Sequence, residues 1–180
     1  IIIGGGSDPS VNYAVGTVDS TAGVTIYQAT VNAGDGSIRI NGKGYSVGGS
    51  GVYIFGNNTN STSANNSGLS TTTGSITVNG YGVGSNDGAV YLHKPNTYIS
   101  SVSGNINLTT IGGLHLYYTN SGGAGSYPRI VTGGSGSISI SSSSYVTLNS
   151  GYIQAENGNV SVVATNNISQ IWGSYFKTTG

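Results

Sequence analysis

The 180-residue chain contains no cysteine and no methionine. Zero cysteine excludes a disulfide scaffold and a thiolate metal centre. It suits a protein exported unfolded, where stray thiols are a hazard. Charge is also scarce, with five basic and five acidic side chains and a net charge of zero. A nucleic-acid surface needs clustered Lys and Arg to neutralise phosphate, so nucleic acid is excluded as a partner. An acidic tail and a polybasic membrane patch fall on the same count. No apolar run approaches the ~18 residues of a membrane span, so no membrane insertion is expected. Ile1-Ile2-Ile3 is too short for a signal peptide. No Glu-, Lys- or Ala-rich stretch is present to build a long exposed helix.

What remains is Gly (32), Ser (28), Thr (19) and Asn (19), together more than half of the chain. Such a composition often means disorder. Against disorder, 36% of residues are hydrophobic. Most of these are Val, Ile and Tyr, which favour strands, and they come in short alternating runs.

One pattern recurs five times: Gly36-Ser-Ile-Arg-Ile40, Gly74-Ser-Ile-Thr-Val78, Gly104-Asn-Ile-Asn-Leu108, Gly136-Ser-Ile-Ser-Ile140 and Gly158-Asn-Val-Ser-Val162. The alternation puts Ile38, Ile40, Ile76, Val78, Ile106, Leu108, Ile138, Ile140, Val160 and Val162 on one strand face, the expected core. Arg39, Thr77, Asn107, Ser139 and Ser161 then face outward. Residues 36–54 align on 74–92 without gaps, with eight identities in nineteen positions. A shift of 38 reads as two turns of about 19 residues, within the range of solenoid repeats.

Short strands, Gly-rich turns and a coil-sized repeat predict an all-β fold, a parallel β-helix (β-solenoid) of about 19-residue coils with inserted loops. A β-sandwich also has short strands, but it gives no reason for repeated sequence. The Gly and Asn residues are expected at corners that need positive φ. A single domain is expected over residues 1–180. Residues 1–20 read as an N-terminal strand or linker, and residues 57–67 and 119–136 as extruded loops.

The Gly-Ser-Ile-x-Val-Asn-Gly units, then Gly88-Ala-Val-Tyr-Leu92 and Ile99-Ser-Ser-Val-Ser-Gly-Asn-Ile-Asn-Leu108, resemble the repeats of filamentous haemagglutinin-type adhesins of two-partner secretion. The resemblance covers roughly residues 20–118 and 136–165. It implies a right-handed β-helix, an extracellular or cell-surface location, and adhesive work without an enzyme activity. The family's Asn-Pro-Asn motifs are absent, so the resemblance is to the repetitive shaft. The partners implied are a host surface, a glycan or a protein receptor.

Chemistry is sparse. The acids are Asp8, Asp19, Asp35, Asp87 and Glu156. Asp35 and Asp87 sit beside Gly in turn contexts. A pair of acids acting on polysaccharide remains the enzymatic alternative. His93 and His115 could pair on a metal, but two lone histidines read better as exposed structural residues. No cofactor is expected. Tyr, with 13 copies, is the unusual type. Tyr53, Tyr91, Tyr117 and Tyr152 occupy outward positions and are the candidate surface contacts, for stacking on sugars or sealing solenoid contacts. An outer aromatic ladder that only ties coils together explains them too. Thr71-Thr72-Thr73 and Thr109-Thr110 lack the regular spacing of an ice-binding face. The other assembly reading is a filament subunit joined to sister subunits end to end, or by exchange of the Ile1–Ile3 strand.

Overall fold

Alternation of Ile or Val with small polar residues produces strands too short to bury their own apolar face, so each needs a neighbour across the sheet. A computed structural model shows how they find one; it describes residues 1–56, 66–83, 88–118 and 127–179. Two short strands, β1 (Ile2–Ile3) and β2 (Ala14–Val15), come first. Turns of three strands follow: β3 (Val24–Tyr27), β4 (Thr30–Asn32) and β5 (Ile38–Lys43); then β6 (Val52–Phe55), β7 (Ser67–Thr71) and β8 (Ile76–Tyr81). The third turn is β9 (Gly88–His93), β10 (Thr97–Ser101) and β11 (Ile106–Ile111). The fourth is β12 (Gly113–Tyr117), β13 (Arg129–Thr132) and β14 (Ile138–Ser142). The fifth is β15 (Val146–Asn149), β16 (Tyr152–Ala155) and β17 (Val160–Ala164), and β18 (Ile168–Ile171) with β19 (Tyr175–Thr178) begins a sixth.

Every third strand pairs in parallel with the one a turn before. This gives three sheets: sheet A from β1 through β5, β8, β11 and β14 to β17, with β2 also on β5; sheet B from β3 to β18; sheet C from β4 to β19. The chain is a three-sided parallel β-helix. Its interior holds axial rows in register. One is Ile38, Ile76, Ile106, Ile138 and Val160; the next is Ile40, Val78, Leu108, Ile140 and Val162. The first four residues of each row are buried. Arg39, Thr77, Asn107, Ser139 and Ser161 line the opposite face of sheet A, with Thr77 half-buried.

The shortest turns take 22 residues, as from Val146 to Ile168, near the 19 expected. The 38-residue sequence match differs from the expectation. Ile38 pairs directly with Ile76, and Asn79 donates to Asn41 across the same 38-residue step, so the match is one turn and not two. Connections inside that turn carry the extra length. Residues 129–132 also differ from the expected loop, since they form β13 with Ile130 fully buried. Ser67, the last residue of the other expected loop, is likewise buried in β7. Residues 57–65 and 119–126 lie outside the described residues.

The glycine that opens each motif has a reason other than the one expected. None of Gly36, Gly74, Gly104, Gly136 and Gly158 has positive φ. They form a column at the corner between sheets C and A. A Cβ on Gly74, Gly104, Gly136 or Gly158 would lie under 3.0 Å from the carbonyl oxygen of the glycine one turn earlier. Backbones meet there with no room for a side chain. Hydroxyls close the same corner: Thr71 Oγ1 donates to the Gly74 carbonyl at 2.6 Å, and Thr132 Oγ1 to that of Gly104 at 2.8 Å.

Positive φ appears at the neighbouring glycines Gly34 and Gly134 of that corner, at 55° and 50°, as the sequence led one to expect, and again along the corner between sheets B and C. Gln28, Lys94, Ser150 and Trp172 take φ of 49°, 79°, 55° and 56°. Each follows the last residue of its B strand, and the amides of Gln28, Lys94 and Ser150 still donate to the neighbouring turn. A side chain in this region costs about 1 kcal/mol or more. Ser150→Gly is therefore expected to raise stability by about 1 kcal/mol, read from the midpoint of urea unfolding.

The two ends differ. At the amino end β1 lies against β5, and the Ile1 amino group donates to the Ser37 carbonyl at 2.7 Å. Val24 and Ile26 on the first B strand are buried. At the other end β17, β18 and β19 are the last strands of their sheets. Val160 and Val162 there are only half-buried, and Ile168 is 46% exposed. With Phe176 they line a shallow concavity of about 500 Å³.

Candidate functional site

Sheet B carries the chemistry that the sequence distributes along the chain. Its strands read Val-Tyr-Ile-Phe at 52–55, Val-Tyr-Leu-His at 90–93 and Leu-His-Leu-Tyr at 114–117. The pleat sends the aliphatic residues inward, where Val52, Ile54, Val90, Leu92, Leu114 and Leu116 are fully buried. Rings alternate outward. Parallel register then aligns them in two rows: Thr25, Tyr53, Tyr91, His115, Thr147; and Tyr27, Phe55, His93, Tyr117, Asn149.

The rings touch along and between the rows. Tyr27 lies 5.3 Å from Phe55, Phe55 5.3 Å from His93, and Tyr53 5.4 Å from Tyr91. Tyr91 and His93 stack at 4.9 Å with 12° between planes, and His93 meets Tyr117 edge-on at 5.7 Å. Such contacts each contribute about 0.5–1.5 kcal/mol beyond burial. Two hydrogen bonds fix the histidines: Tyr53 Oη with His93 Nδ1 at 2.9 Å, and Tyr145 Oη with His115 Nε2 at 2.9 Å. Glycine makes room beneath. A Cβ at Gly113 would strike the Tyr145 ring, and one at Gly88 the His115 ring.

Burial sets the electrostatics of this face. Loss of water holds the His93 imidazolium down at about 4, helped by the Lys94 charge. The Tyr53 hydroxyl is pushed up to about 12 by burial, and Tyr91 is raised by burial with Tyr53 and Tyr117 beside it. His93 is therefore uncharged at pH 7.

That gives a stability prediction. The unfolded chain takes up a proton at His93 near pH 6.5, while the folded chain resists until about pH 4. Stability is fully present above pH 6.5 and falls as pH drops toward 4. Because the ring still meets solvent, screening reduces the loss to about 1–2 kcal/mol. His93→Gln should remove this part of the pH dependence of urea unfolding. Titration of the ring by NMR near pH 6.5 would contradict it.

The four candidate tyrosines do not form one stripe. Tyr53, Tyr91 and Tyr117 lie on sheet B. Tyr152 lies on sheet C, in a column with Tyr98, Arg129 and Tyr175. Tyr152 stacks on Tyr175 at 4.9 Å, and the Arg129 guanidinium sits over Tyr98 at 5.1 Å. The ten candidate core residues all face inward along sheet A, far from either tyrosine face. His93 and His115 are both half-buried among rings, which corrects their reading as exposed residues. Tyr27 and Phe55 belong to the site although the sequence did not single them out, and His93, weighed there only as a metal ligand or an exposed structural residue, joins them. Their signal was present: each stands two residues after an outward position on the same strand.

Three of the acids have partners. Asp35 accepts from Thr73 Oγ1 at 3.3 Å, Glu156 accepts the Gly134 amide at 2.9 Å, and Ser10 holds the Asp8 carboxyl below its ordinary range. Among the described residues no three His, Cys, Asp or Glu side chains group as metal ligands. Asp87 lies outside the described residues.

The chain matches no protein-family model, no curated protein and no solved structure.

Proposed function

We propose that the chain is a non-enzymatic, extracellular shaft segment of a filamentous haemagglutinin-like bacterial surface adhesin, with an outer face turned to its target. The observation that carries this reading is the unbroken parallel stacking of all three sheets. Outward residues of successive turns align in columns, so the fold works as a support that lines up a surface. Each added turn extends it by roughly 4.8 Å. The five-copy motif builds only that support, and the outward rings build a contact face. Antibodies raised against the chain should label the surface of intact producing cells. Labelling that requires permeabilised cells would overturn the reading.

The exposed apolar end formed by Val160, Val162, Ile168 and Phe176 favours a second reading, an extracellular filament of copies joined end to end. Sedimentation should then show association that rises with concentration. Strand exchange through Ile1–Ile3 is a separate form of it, since β1 here pairs within its own chain. Association unchanged by deletion of residues 1–6 would remove that form.

A further inference from the structure

We propose that Asn157 is a site of spontaneous modification, where the side chain closes on the Gly158 amide to a succinimide and the product loosens the last turn of the helix. The proposal does not depend on the attachment reading above.

The step needs water and no other co-reactant. The Gly158 nitrogen gives up its proton to hydroxide and attacks Asn157 Cγ. A C–N bond forms, the Cγ–Nδ2 bond breaks, and ammonia leaves with a proton taken from water. Water then opens the ring. Opening at the side-chain carbonyl restores the backbone and leaves aspartate. Opening at the backbone carbonyl leaves isoaspartate, whose chain runs through an extra carbon. A following glycine favours closure, because it has no side chain to hinder the approach.

Asn-Gly pairs stand at 41–42, 79–80 and 157–158. The fold protects the first two. Asn41 is buried, its Nδ2 donates to the Pro9 carbonyl at 2.8 Å, and its Oδ1 accepts from Asn79 Nδ2 at 2.7 Å. Gly42 and Gly80 pair with each other inside β5 and β8. Extended backbone turns each glycine amide away from the asparagine Cγ, and strand pairing prevents the rotation that would bring them together.

Asn157 has no such protection. It is exposed, in the bend between β16 and β17. Among the described residues, neither its side chain nor the Gly158 amide has a hydrogen-bond partner. Three other motif glycines differ. The amides of Gly36 and Gly136 donate to the carbonyls of Ala33 and Gly133, and that of Gly104 to Ser101 Oγ at 2.8 Å. In register, Ser101 is followed by Thr132 and then by Ala155. Ala155 brings no hydroxyl to hold the Gly158 amide.

The position magnifies the change. The Asn157 backbone amide donates to the Gly134 carbonyl at 3.0 Å, and the Asn159 amide to Ser137 Oγ at 3.1 Å. The extra carbon of isoaspartate falls between these anchors, where Gly158 already lies against the Gly136 carbonyl without room for a side chain. β17 ends sheet A, and its Val160 and Val162 are only half-buried, so little else retains it.

The test ages the full chain at neutral and mildly alkaline pH, folded and in urea, and maps its peptides by mass spectrometry. Asn157 should exchange its amide NH2 for OH, faster at the higher pH, while Asn41 and Asn79 stay intact in the folded chain. In urea all three should react alike. Enzymatic methylation counts the isoaspartate. Amide exchange should quicken in β17 of the aged chain and stay unchanged in β8. Asn157→Gln should abolish both effects, since the longer side chain closes a ring far more slowly. Ala155→Ser should slow the reaction several-fold by giving the Gly158 N–H a partner. If that variant unfolds, Asn79 reacts as well, and the Asn157→Gln comparison decides. An Asn157 that stays intact, or reacts no faster than Asn79 in the folded chain, overturns the proposed site. Modification without faster exchange in β17 overturns the loosening.

Discussion

Gly104→Ala is expected to cost about 3 kcal/mol, although it adds one methyl group to a chain already rich in loops. The new Cβ would sit under 3.0 Å from the backbone of Gly74 on the turn before. Neither backbone can retreat, because each is fixed by strands on both sides of the corner: β10 and β11 around Gly104, β7 and β8 around Gly74. Relief requires the two turns to separate and their pairing to weaken. Gly74→Ala and Gly158→Ala should behave alike. Gly36 supplies the control within the same motif. Its Cβ would meet nothing closer than Ala33 at 3.2 Å, so Gly36→Ala should cost well under 1 kcal/mol. Urea unfolding of the four variants checks this. Equal effects at Gly36 and Gly104 would show that the glycine column does not set the spacing between turns.

Truncating the core gives the second large effect. Ile76→Ala should cost about 2–5 kcal/mol, through lost burial and the cavity left behind. Ile76 is fully buried between Ile38 and Ile106 in its axial row. The damage should appear in β5 and β11 as well as in β8, since each turn of a solenoid is held by its neighbours. Amide exchange in those strands reads it. Thr77→Ala, one residue on and facing out, should stay within about 0.5 kcal/mol. Val162→Ala at the exposed end should cost about 1 kcal/mol, because less of that side chain leaves water. If Ile76→Ala were as mild as Thr77→Ala, the inward assignment of the row would fail.

The axial rows were legible because alternation and repetition coincide: five copies of one motif put the same face inward five times. Val160 and Val162 share the alternation, yet their burial depends on a strand beyond them, which alternation does not encode. The 38-residue match was legible as a repeat but not as a single turn. A repeat length counts residues, and connections of unequal length add residues without adding a rung. The motif glycines were legible as special but not for their cause. Sequence shows a missing side chain, while the reason for it lies 22–38 residues away on another turn. The ring face was half legible. Tyr53 and Tyr91 stand out within the aligned repeat, but His93 reads as polar when its surroundings are unseen. Only the register that sets Phe55 and Tyr117 on either side of it makes it part of an aromatic surface.

Parallel pairing makes every turn a ready edge for the next. Once one turn has paired, a following turn adds its hydrogen bonds to strands already fixed in place, so the costly first pairing happens once and further turns only elongate it. Each turn is thus a template for its neighbour.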